Sequence, residues 1–308
     1  MSSREIEAAA RLIREGQLVA FPTETVYGLG ANALDAAAVD RIYEAKGRPP
    51  TSPLIVHVSS IEMARELLRA WPDAADALAR RYWPGPLTLV LPKSDCVPDR
   101  VTAGLDTVGI RMPDHPIALA LIAEAGVPIA APSANRFSEL SPTTAEHVRH
   151  ALGDRVAMVL DGGPTRVGIE STVLSLAGGE PVLLRPGMIS EADIEAVIGP
   201  VRVQSGAPEA AHPSPGMHRK HYSPRTPVIL VDDGTLPAGR GAYLWIEAPL
   251  SAERAIEMPS DPHAYAAMLY DTLHQVDALG LDWIAVERPP SGMMWAGVRD
   301  RLERAASK

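Results

Sequence analysis

Short runs of aliphatic residues alternate along this chain with segments whose apolar positions recur every three or four residues. The first pattern favours buried strands, and the second favours amphipathic helices. The predicted strands cover residues 17–21, 53–58, 86–91, 108–112, 127–131, 156–160, 171–176, 181–185 and 201–204. The predicted helices cover residues 2–15, 35–46, 60–70, 73–82, 115–125, 143–152 and 190–198. Because the strands after residue 155 follow one another closely, we expect a mixed α/β sheet rather than a strictly parallel one.

Polar residues at the starts of several predicted helices can cap the first turn. A Ser, Thr or Asp at this position accepts a hydrogen bond from the backbone, and an acidic residue three positions later can return one. The predicted caps are Asp35 and the pairs Ser2/Glu5, Ser59/Glu62, Thr143/Glu146 and Ser190/Asp193.

The pattern changes at residues 205–226, which are rich in Pro, Gly, Ser and His and show no apolar periodicity. This composition predicts a linker. The segment also carries a basic and aromatic cluster, formed by His218, Arg219, Lys220, His221, Tyr222 and Arg225. A plain spacer needs no such cluster, so we favour a linker that also folds over a site as a lid.

The α/β pattern restarts after this segment. VILVDD, AYLWIE and WIAVE read as strands, and helices are predicted at residues 261–279 and from about 294 to 306. The predicted organisation is therefore a large domain over residues 1–204, the Pro/Gly-rich linker 205–226, and a smaller C-terminal α/β domain over residues 227–308.

Composition and charge exclude several classes of protein. The chain has 308 residues, a net charge of −9 and only 5% aromatic residues, which argues against a base-stacking or strongly basic nucleic-acid binder. Cys96 is the only cysteine, so neither an intrachain disulfide nor a Cys-rich zinc site can form. No apolar run approaches the ~20 residues of a membrane helix. We therefore expect a soluble, cytoplasmic protein.

Two glycine-containing motifs have more than one explanation. Lys46-Gly47-Arg48-Pro49-Pro50 places two cations at a rigid helix exit, which fits either an anion site or an ordinary basic helix C-terminus. Residues 28–33 match the G-x-G-x-x-A dinucleotide pattern, but the next helix starts only at Asp35 and no acidic residue ends the following strand. We therefore interpret these glycines as a tight turn.

Polar side chains interrupt or follow apolar strands. Arg111 lies inside a strand, and a buried Arg needs an anionic partner, either a structural carboxylate or that of a ligand. His57 also interrupts an apolar run, where a core His with satisfied hydrogen bonds is the usual explanation. Ser133 and Asn135 follow a strand end, where ligands bind in α/β proteins, although a plain turn would explain them too.

Taken together, these segments resemble a known family. They occur in this order across residues 20–187: PTETVYGLG, Lys46-x-Arg48, SPLIVHV, Ser133-x-Asn135, GIEST and LRPG. The chain resembles the YrdC-like threonylcarbamoyl-AMP synthases, whose signature pairs are KxR and SxN. SPGMHRKHYSP and the small domain after it resemble the long, two-domain form. The resemblance implies an open, twisted mixed sheet with a concave, positively lined cavity.

The resemblance also implies an activity. Such an enzyme is a nucleotidyltransferase that condenses L-threonine, bicarbonate or CO2, and ATP into threonylcarbamoyl-AMP and pyrophosphate. Mg2+ is expected on the ATP phosphates, without an identified protein ligand. The product would feed a tRNA threonylcarbamoyl transferase complex, which modifies the adenosine beside the anticodon. Stable direct binding of RNA is not expected.

Site residues are carried over from the same resemblance. Lys46 and Arg48 are expected to act in catalysis on the ATP phosphates. Arg111 is expected to bind the threonine carboxylate. The further residues expected around ATP are Ser52, Thr107, Ser133, Asn135, Ser141, Arg185 and Tyr222. Those expected around L-threonine, besides Arg111, are Thr25, His57, Ser171 and the backbone of Ala131. Family members often carry Asn in place of Ser52, and Cys96 lies outside every motif.

Two other functions stay open at this point. A cationic concave surface could bind structured RNA by shape, although the net charge and the few aromatic residues count against it. A carbamoyl transferase with related adenylate chemistry is the alternative among enzymes. Its hydrogenase-maturation relatives carry a zinc finger, which a chain with one cysteine cannot form.

Overall fold

The computed structural model describes residues 2–204, 222–232 and 234–307. The strands are β1 Val19–Phe21, β2 Gly28–Asn32, β3 Ile55–His57, β4 Leu87–Pro92, β5 Thr107–Arg111, β6 Ile129–Ala130, β7 Met158–Val159, β8 Thr172–Ser175, β9 Val182–Arg185, β10 Arg202–Val203, β11 Val228–Val231, β12 Gly241–Trp245, β13 Arg254–Glu257 and β14 Trp283–Glu287. The helices are α1 Ser3–Arg14, α2 Ala36–Lys46, α3 Ile61–Glu66, α4 Asp73–Tyr82, α5 Asp99–Thr102, α6 Pro116–Ala125, α7 Ala145–Leu152, α8 Glu191–Ile198, α9 Pro262–Asp277 and α10 Ala296–Ala306. None of these helices is both long enough and apolar enough to cross a membrane.

The first ten strands form one mixed sheet, in the order β10-β9-β8-β4-β5-β3-β6-β2-β1-β7. The sheet contains both parallel pairs, such as β3 with β5, and antiparallel pairs, such as β4 with β5. This mixture confirms the predicted α/β fold class. Helices α1 and α6 pack together on the sheet and share a hydrophobic core with β1, while the largest core includes residues of α2, α4 and α7.

One strand of this sheet contradicts the sequence prediction. The glycines of residues 28–33, interpreted above as a tight turn, lie in β2, which pairs with both β1 and β6. A Cβ added at Gly30 would come within 2.7 Å of Phe21 and 2.8 Å of Ile129. A glycine is therefore required there by the close packing of neighbouring strands, and not by a turn.

Most of the predicted helix caps are present, but two are displaced by one residue. Asp35 caps α2, and Ser2 and Ser190 form capping boxes with Glu5 and Asp193. The cap of α3 is Ser60 rather than Ser59, and the cap of α7 is Thr144 rather than Thr143. In each case two adjacent hydroxyl residues precede the helix, and the second one has the extended backbone of an N-cap.

The last four strands form a separate parallel sheet, in the order β11-β14-β12-β13. Helices α9 and α10 pack on it, and their apolar residues form a core that also contains residues of the large domain. Those residues are Val26, Leu140, Ile169 and Met188. Tyr222 belongs to the same core, whereas linker residues 205–221, with His218, Arg219, Lys220 and His221, lie outside the described part of the chain.

Candidate active site

A concave pocket opens beside the ends of β3, β5 and β6. Its walls combine guanidinium groups, hydroxyl groups and one carboxylate with a few apolar side chains. The lining residues are Thr23, Thr25, Val26, Gly28, Arg48, Ile55, His57, Arg111, Ala131, Pro132, Ser133, Glu170, Ser171, Arg185 and Tyr222. A pocket of this kind, with a few convergent polar groups, is typical of a small-molecule site.

One end of the pocket is built by the pairing of three adjacent strands. His57 at the end of β3 lies directly opposite Arg111 at the end of β5. The backbone N–H of Ala131, just after β6, donates to the carbonyl of Ile55 at 2.9 Å. Strand register therefore brings together three residues that are far apart in the sequence.

Arg111 is held from several sides within this end of the pocket. Its Nη1 donates to Thr25 Oγ1 at 2.9 Å and its Nε donates to the carbonyl of Gly85 at 3.2 Å. Its Nη2 lies 2.6 Å from Glu24 Oε2, and both side chains are almost completely buried. This contact is an ion pair without hydrogen-bond geometry, so Nη2 and both Glu24 oxygens have no hydrogen-bond partner among the described residues. Of the two partners considered above, the structure supplies the structural carboxylate.

Other buried polar atoms of the lining also lack partners within the described residues. His57 Nδ1 and Arg48 Nε are in this position. Burial, and then the nearby Arg111, lower the pKa of His57 to about 3, so its imidazole is neutral at physiological pH. Buried groups without partners cost free energy in an empty site, and a polar ligand would satisfy them.

Arg48 owes its position to the end of α2. Gly47 adopts a left-handed conformation with φ 62°, and the N–H of Arg48 donates to the carbonyl of Tyr43 at 3.0 Å. The guanidinium is buried, with Nη2 donating to the carbonyl of Pro53 at 3.1 Å. Burial lowers the pKa of Arg48 to about 10, which still leaves it charged at neutral pH. The signature glycine thus turns the chain so that Arg48 enters the pocket.

Lys46 does not reach the pocket wall. Its Nζ donates to the carbonyls of Ser133 and Asn135, both at 2.5 Å, and lies 3.5 Å from Asn135 Oδ1. Burial, and then Arg48, hold the pKa of Lys46 well below its usual value. An ammonium has three N–H donors, and these three contacts use them. Lys46 therefore fixes the loop that presents Ser133 to the pocket.

A further part of the pocket wall is formed around Ser171 and Arg185. Arg185 Nε donates to the carbonyl of Ser171 at 3.1 Å, and its Nη2 donates to Ser171 Oγ at 3.2 Å. Ser171 Oγ also lies 2.8 Å from Thr88 Oγ1. These contacts fix the guanidinium of Arg185 in the pocket wall.

Glu170 is the carboxylate of the lining, and it connects the two domains. Its Oε1 accepts from Ser141 Oγ at 2.5 Å, and its Oε2 accepts from Arg301 Nε at 2.7 Å and from Tyr270 OH at 3.2 Å. Burial raises the pKa of Glu170, but Arg301 and Arg185 outweigh it, and the net pKa is lowered. Glu170 is therefore an ionised group within the pocket.

Tyr222 closes this side of the pocket. Its side chain is buried, its ring centroid lies 6.0 Å from that of Tyr270, and the guanidinium of Arg301 lies 5.3 Å from the ring. Its backbone has φ 59°, a left-handed value that is uncommon for a bulky residue. Such a conformation persists where the surrounding contacts determine it.

The structure brings most of the predicted site residues together. Nine of them line the pocket: Arg48, Ser133, Arg185, Tyr222, Thr25, His57, Arg111, Ala131 and Ser171. The others do not lie on its wall: Lys46, Ser52, Thr107, Asn135 and Ser141. Thr107 starts β5, so that four residue steps, about 13 Å of extended strand, separate it from Arg111.

Sequence reasoning gave no role to several residues of the site. These are Thr23, Glu24, Val26, Gly28, Ile55, Pro132 and Glu170. Glu24 lies inside the PTETVYGLG segment and Glu170 inside GIEST. The sequence feature that could have identified them is an acidic residue within an otherwise apolar and hydroxyl-rich stretch. Their roles depend on Arg111 and Arg301, which lie far away in the sequence.

Comparisons with known proteins agree with the two-domain architecture. The sequence profile of the Sua5, YciO and YrdC proteins, described as "Telomere recombination", matches residues 11–187, and that of the "Threonylcarbamoyl-AMP synthase, C-terminal domain" matches residues 189–307. The chain is similar to the threonylcarbamoyl-AMP synthase of Bacillus subtilis, with 47% identity over 98% of this chain and 93% of the relative. The crystal structure of Pyrococcus abyssi Sua5 complexed with L-threonine is similar with a TM-score of 0.93 and 42% identity, covering 99% of this chain and 95% of that one.

Proposed function

Because this chain belongs to the threonylcarbamoyl-AMP synthase family by both of its domains, we propose that its pocket is the active site of that reaction. The enzyme condenses L-threonine, bicarbonate or CO2, and ATP into threonylcarbamoyl-AMP and pyrophosphate. The observation that carries the proposal is the convergence of Arg48, Arg111 and Arg185 on one pocket. Three buried guanidinium groups suit a ligand that carries several negative charges.

The threonine end of the pocket is the end around Arg111. We assign the threonine carboxylate to Arg111, whose buried Nη2 lies against Glu24 and makes no hydrogen bond to the described residues. His57, Thr25, Ser171 and the backbone of Ala131 complete this end. The neutral imidazole of His57 can accept or donate a hydrogen bond without adding charge beside the amino group. All of these groups are buried, which suits an amino acid and not an RNA surface.

The ATP end is the end around Arg48 and Arg185. In the proposal their guanidinium groups neutralise the phosphates, Ser133 donates from its loop, and Tyr222 covers the nucleotide. Lys46 and Asn135 act by fixing the Ser133 loop, and Ser141 acts through Glu170. Ser52 and Thr107 are further ATP contacts of the proposal, reached where the nucleotide extends beyond the pocket.

The chemistry requires positioning and charge neutralisation. The threonine amine, without its extra proton, takes up CO2 to form a carbamate, and a carbamate oxygen attacks the α-phosphorus while the bond to pyrophosphate breaks. Because the attacking oxygen belongs to the substrate, no nucleophile of the protein takes part. Arg48 and Arg185 stabilise the charge that develops on the phosphates as pyrophosphate leaves.

No protein site for a metal ion is evident in the described residues. They contain no group of three or more His, Cys, Asp or Glu side chains that could hold one. Glu170, the carboxylate of the lining, is already bound by Arg301, Tyr270 and Ser141. In the proposal Mg2+ therefore enters as part of the substrate MgATP, held by the phosphates.

Threonylcarbamoyl-AMP is a mixed anhydride and must be consumed by an acyl transfer. We propose that the acceptor system is a transferase complex that modifies the adenosine beside the anticodon of tRNA. The reaction would then take place in the cytoplasm, and tRNA would bind to that complex rather than stably to this chain.

The test is pyrophosphate release from ATP with purified protein. We expect release that requires both L-threonine and bicarbonate, accompanied by threonylcarbamoyl-AMP in the mass spectrum. Omission of either substrate, or replacement of L-threonine by D-threonine, is the matched control. ATP consumption that is independent of threonine, or RNA binding without ATP consumption, would refute the proposal.

A further inference from the structure

The C-terminal domain contacts the pocket carboxylate Glu170 through Tyr270 and Arg301. We propose that Arg301 is a positioning residue for the ATP end of the site. It neutralises Glu170 and fixes its carboxylate, so that no unpaired negative charge faces the phosphates. This inference rests on the proposed function, and it gives the small domain a defined part in the reaction.

Arg301 binds two segments of the large domain at the same time. Its side chain is fully buried on α10. Besides its bond to the Glu170 carboxylate, its Nη2 donates to the backbone carbonyl of Glu170 at 3.2 Å, and its Nη1 donates to the carbonyl of Pro186 at 3.0 Å. Glu170 directly precedes Ser171, and Pro186 directly follows Arg185. One guanidinium thus sets the spacing of the two segments that carry these pocket residues.

The charge on Glu170 explains why an arginine is needed at this position. The other hydrogen-bond donors to its carboxylate, Ser141 and Tyr270, are neutral hydroxyl groups. The second cation whose charge acts on Glu170 is Arg185, which itself lines the pocket. Without Arg301, Glu170 would repel the phosphates and would also attract the guanidinium of Arg185 away from them.

The same guanidinium supports the tyrosine wall. It lies 5.3 Å from the ring centroid of Tyr222, which covers the pocket, and Tyr222 packs against Tyr270 of α9. A planar cation beside an aromatic face is a favourable contact when both are buried. Arg301 therefore orders a carboxylate and a ring that both line the pocket.

A charge-coupled double substitution tests this proposal. We expect Arg301→Gln to raise the KM for ATP about tenfold or more, because a buried, unscreened negative charge then faces the phosphates. The KM for threonine should change less than about threefold, since Arg301 reaches the threonine end only through the backbone carbonyl that precedes Ser171. In a Glu170→Gln background the same substitution should change the KM for ATP less than about twofold, because the charge on Glu170 is absent and Asp300, the other carboxylate paired with Arg301, keeps its ion pair with Arg304.

Controls separate this role from a contribution to stability. Arg240→Gln removes an exposed, two-bond ion pair with Glu253 in the same domain and should leave both KM values unchanged. A purely structural Arg301 would lower the melting temperature and change both KM values alike, with no rescue by Glu170→Gln, and this result would overturn the proposal. If Arg301→Gln does not fold, Arg301→Lys replaces it, because a lysine keeps the charge but cannot bind Glu170 and Pro186 together. Because this lysine keeps the charge that neutralises Glu170, the KM for ATP should rise less than in a variant with a neutral residue, and a rise of about tenfold or more in Arg301→Lys would overturn the proposal.

A direct binding measurement distinguishes failure of this inference from failure of the proposed function. Calorimetric titration with a non-hydrolysable ATP analogue reports on Arg301 without any turnover. Loss of affinity in Arg301→Gln, with its recovery in the double variant, supports the positioning role. Wild-type protein that binds the analogue but releases no pyrophosphate with threonine and bicarbonate would refute the function alone.

Discussion

Replacement of Arg111 by lysine is the sharpest test of how the pocket is divided between its two substrates. Arg111 Nη1 and Nε bind Thr25 and Gly85, and Nη2 lies against Glu24. A lysine ammonium cannot occupy all of these positions, because its three donors spread from one atom instead of lying in a plane. The positive charge is conserved, so the change isolates the planar geometry.

The structure sets the size of the expected effect. A two-point contact with the threonine carboxylate would become a single one, and a hydrogen bond to a charged group contributes about 1.5–3 kcal/mol. This corresponds to a rise of roughly 10- to 150-fold in the KM for threonine. The Thr25 hydroxyl and the Gly85 carbonyl would also lose their donor, which lowers the free energy of unfolding by about 1–3 kcal/mol for each group left unsatisfied.

The assay is pyrophosphate release with one substrate varied while the others are saturating. We expect the KM for ATP to change less than about threefold, because the contacts of Arg111 are with Gly85, Thr25 and Glu24, none of which is assigned to the phosphates. Arg166→Lys is the matched control, since Arg166 is exposed and pairs with Asp114 at the surface. Equal increases in both KM values, or an unchanged KM for threonine, would refute the assignment of the carboxylate to Arg111.

Three further predictions follow from the same geometry. Arg48→Ala should reduce pyrophosphate release roughly 10²- to 10³-fold with an unchanged circular dichroism spectrum, because a buried cation at the phosphates is lost; normal turnover would remove Arg48 from the site. Tyr222→Ala should raise the KM for ATP roughly 2- to 12-fold through loss of its ring contacts, and unchanged ATP affinity and rate would contradict its covering role. Burial lowers the pKa of His57 to about 3 and that of His274 to about 4. Both histidines therefore stay neutral in the folded protein between pH 6.5 and 5, whereas in the unfolded chain they take up protons below pH 6.5. The free energy of unfolding should therefore be at its full value above pH 6.5 and fall between pH 6.5 and 5 by up to about 1.4 kcal/mol per pH unit for each histidine, more shallowly in His274→Gln; a constant value in urea titrations over that range would contradict this reasoning.

The fold could be predicted where hydrophobic pattern and local capping agreed. Helix α2 illustrates this, because Asp35 at its start and Gly47 at its end are both local signals. Strand β2 was misread because its glycines are set by contact with Phe21 and Ile129, and the sequence does not show that contact. Strand β13 was not predicted, since its residues are mostly exposed and charged and give no alternating pattern.

In the candidate site, too, residues that are unusual within their own segment could be predicted, and residues whose role depends on a distant partner could not. Arg111 could be recognised as a functional candidate because a charge inside an apolar strand is anomalous by itself. The roles of Lys46, Glu24 and Glu170 could not be recognised, since each depends on a partner at least 87 residues away: Ser133, Arg111 and Arg301, respectively. Lys46 was predicted to contact the ATP phosphates, whereas in the structure its Nζ donates to the backbone carbonyls of Ser133 and Asn135.

The long sequence separation between Glu170 and Arg301 has a consequence for biosynthesis. The two residues are 131 positions apart, so the ribosome adds Arg301 long after the large domain has begun to fold. At 5–20 residues per second this interval lasts roughly 7 to 26 s. During that time the nascent chain would carry the Glu170 carboxylate, in the pocket assigned to ATP, without the ion pair that Arg301 supplies. Newly made enzyme would therefore bind ATP weakly until its last helix has docked.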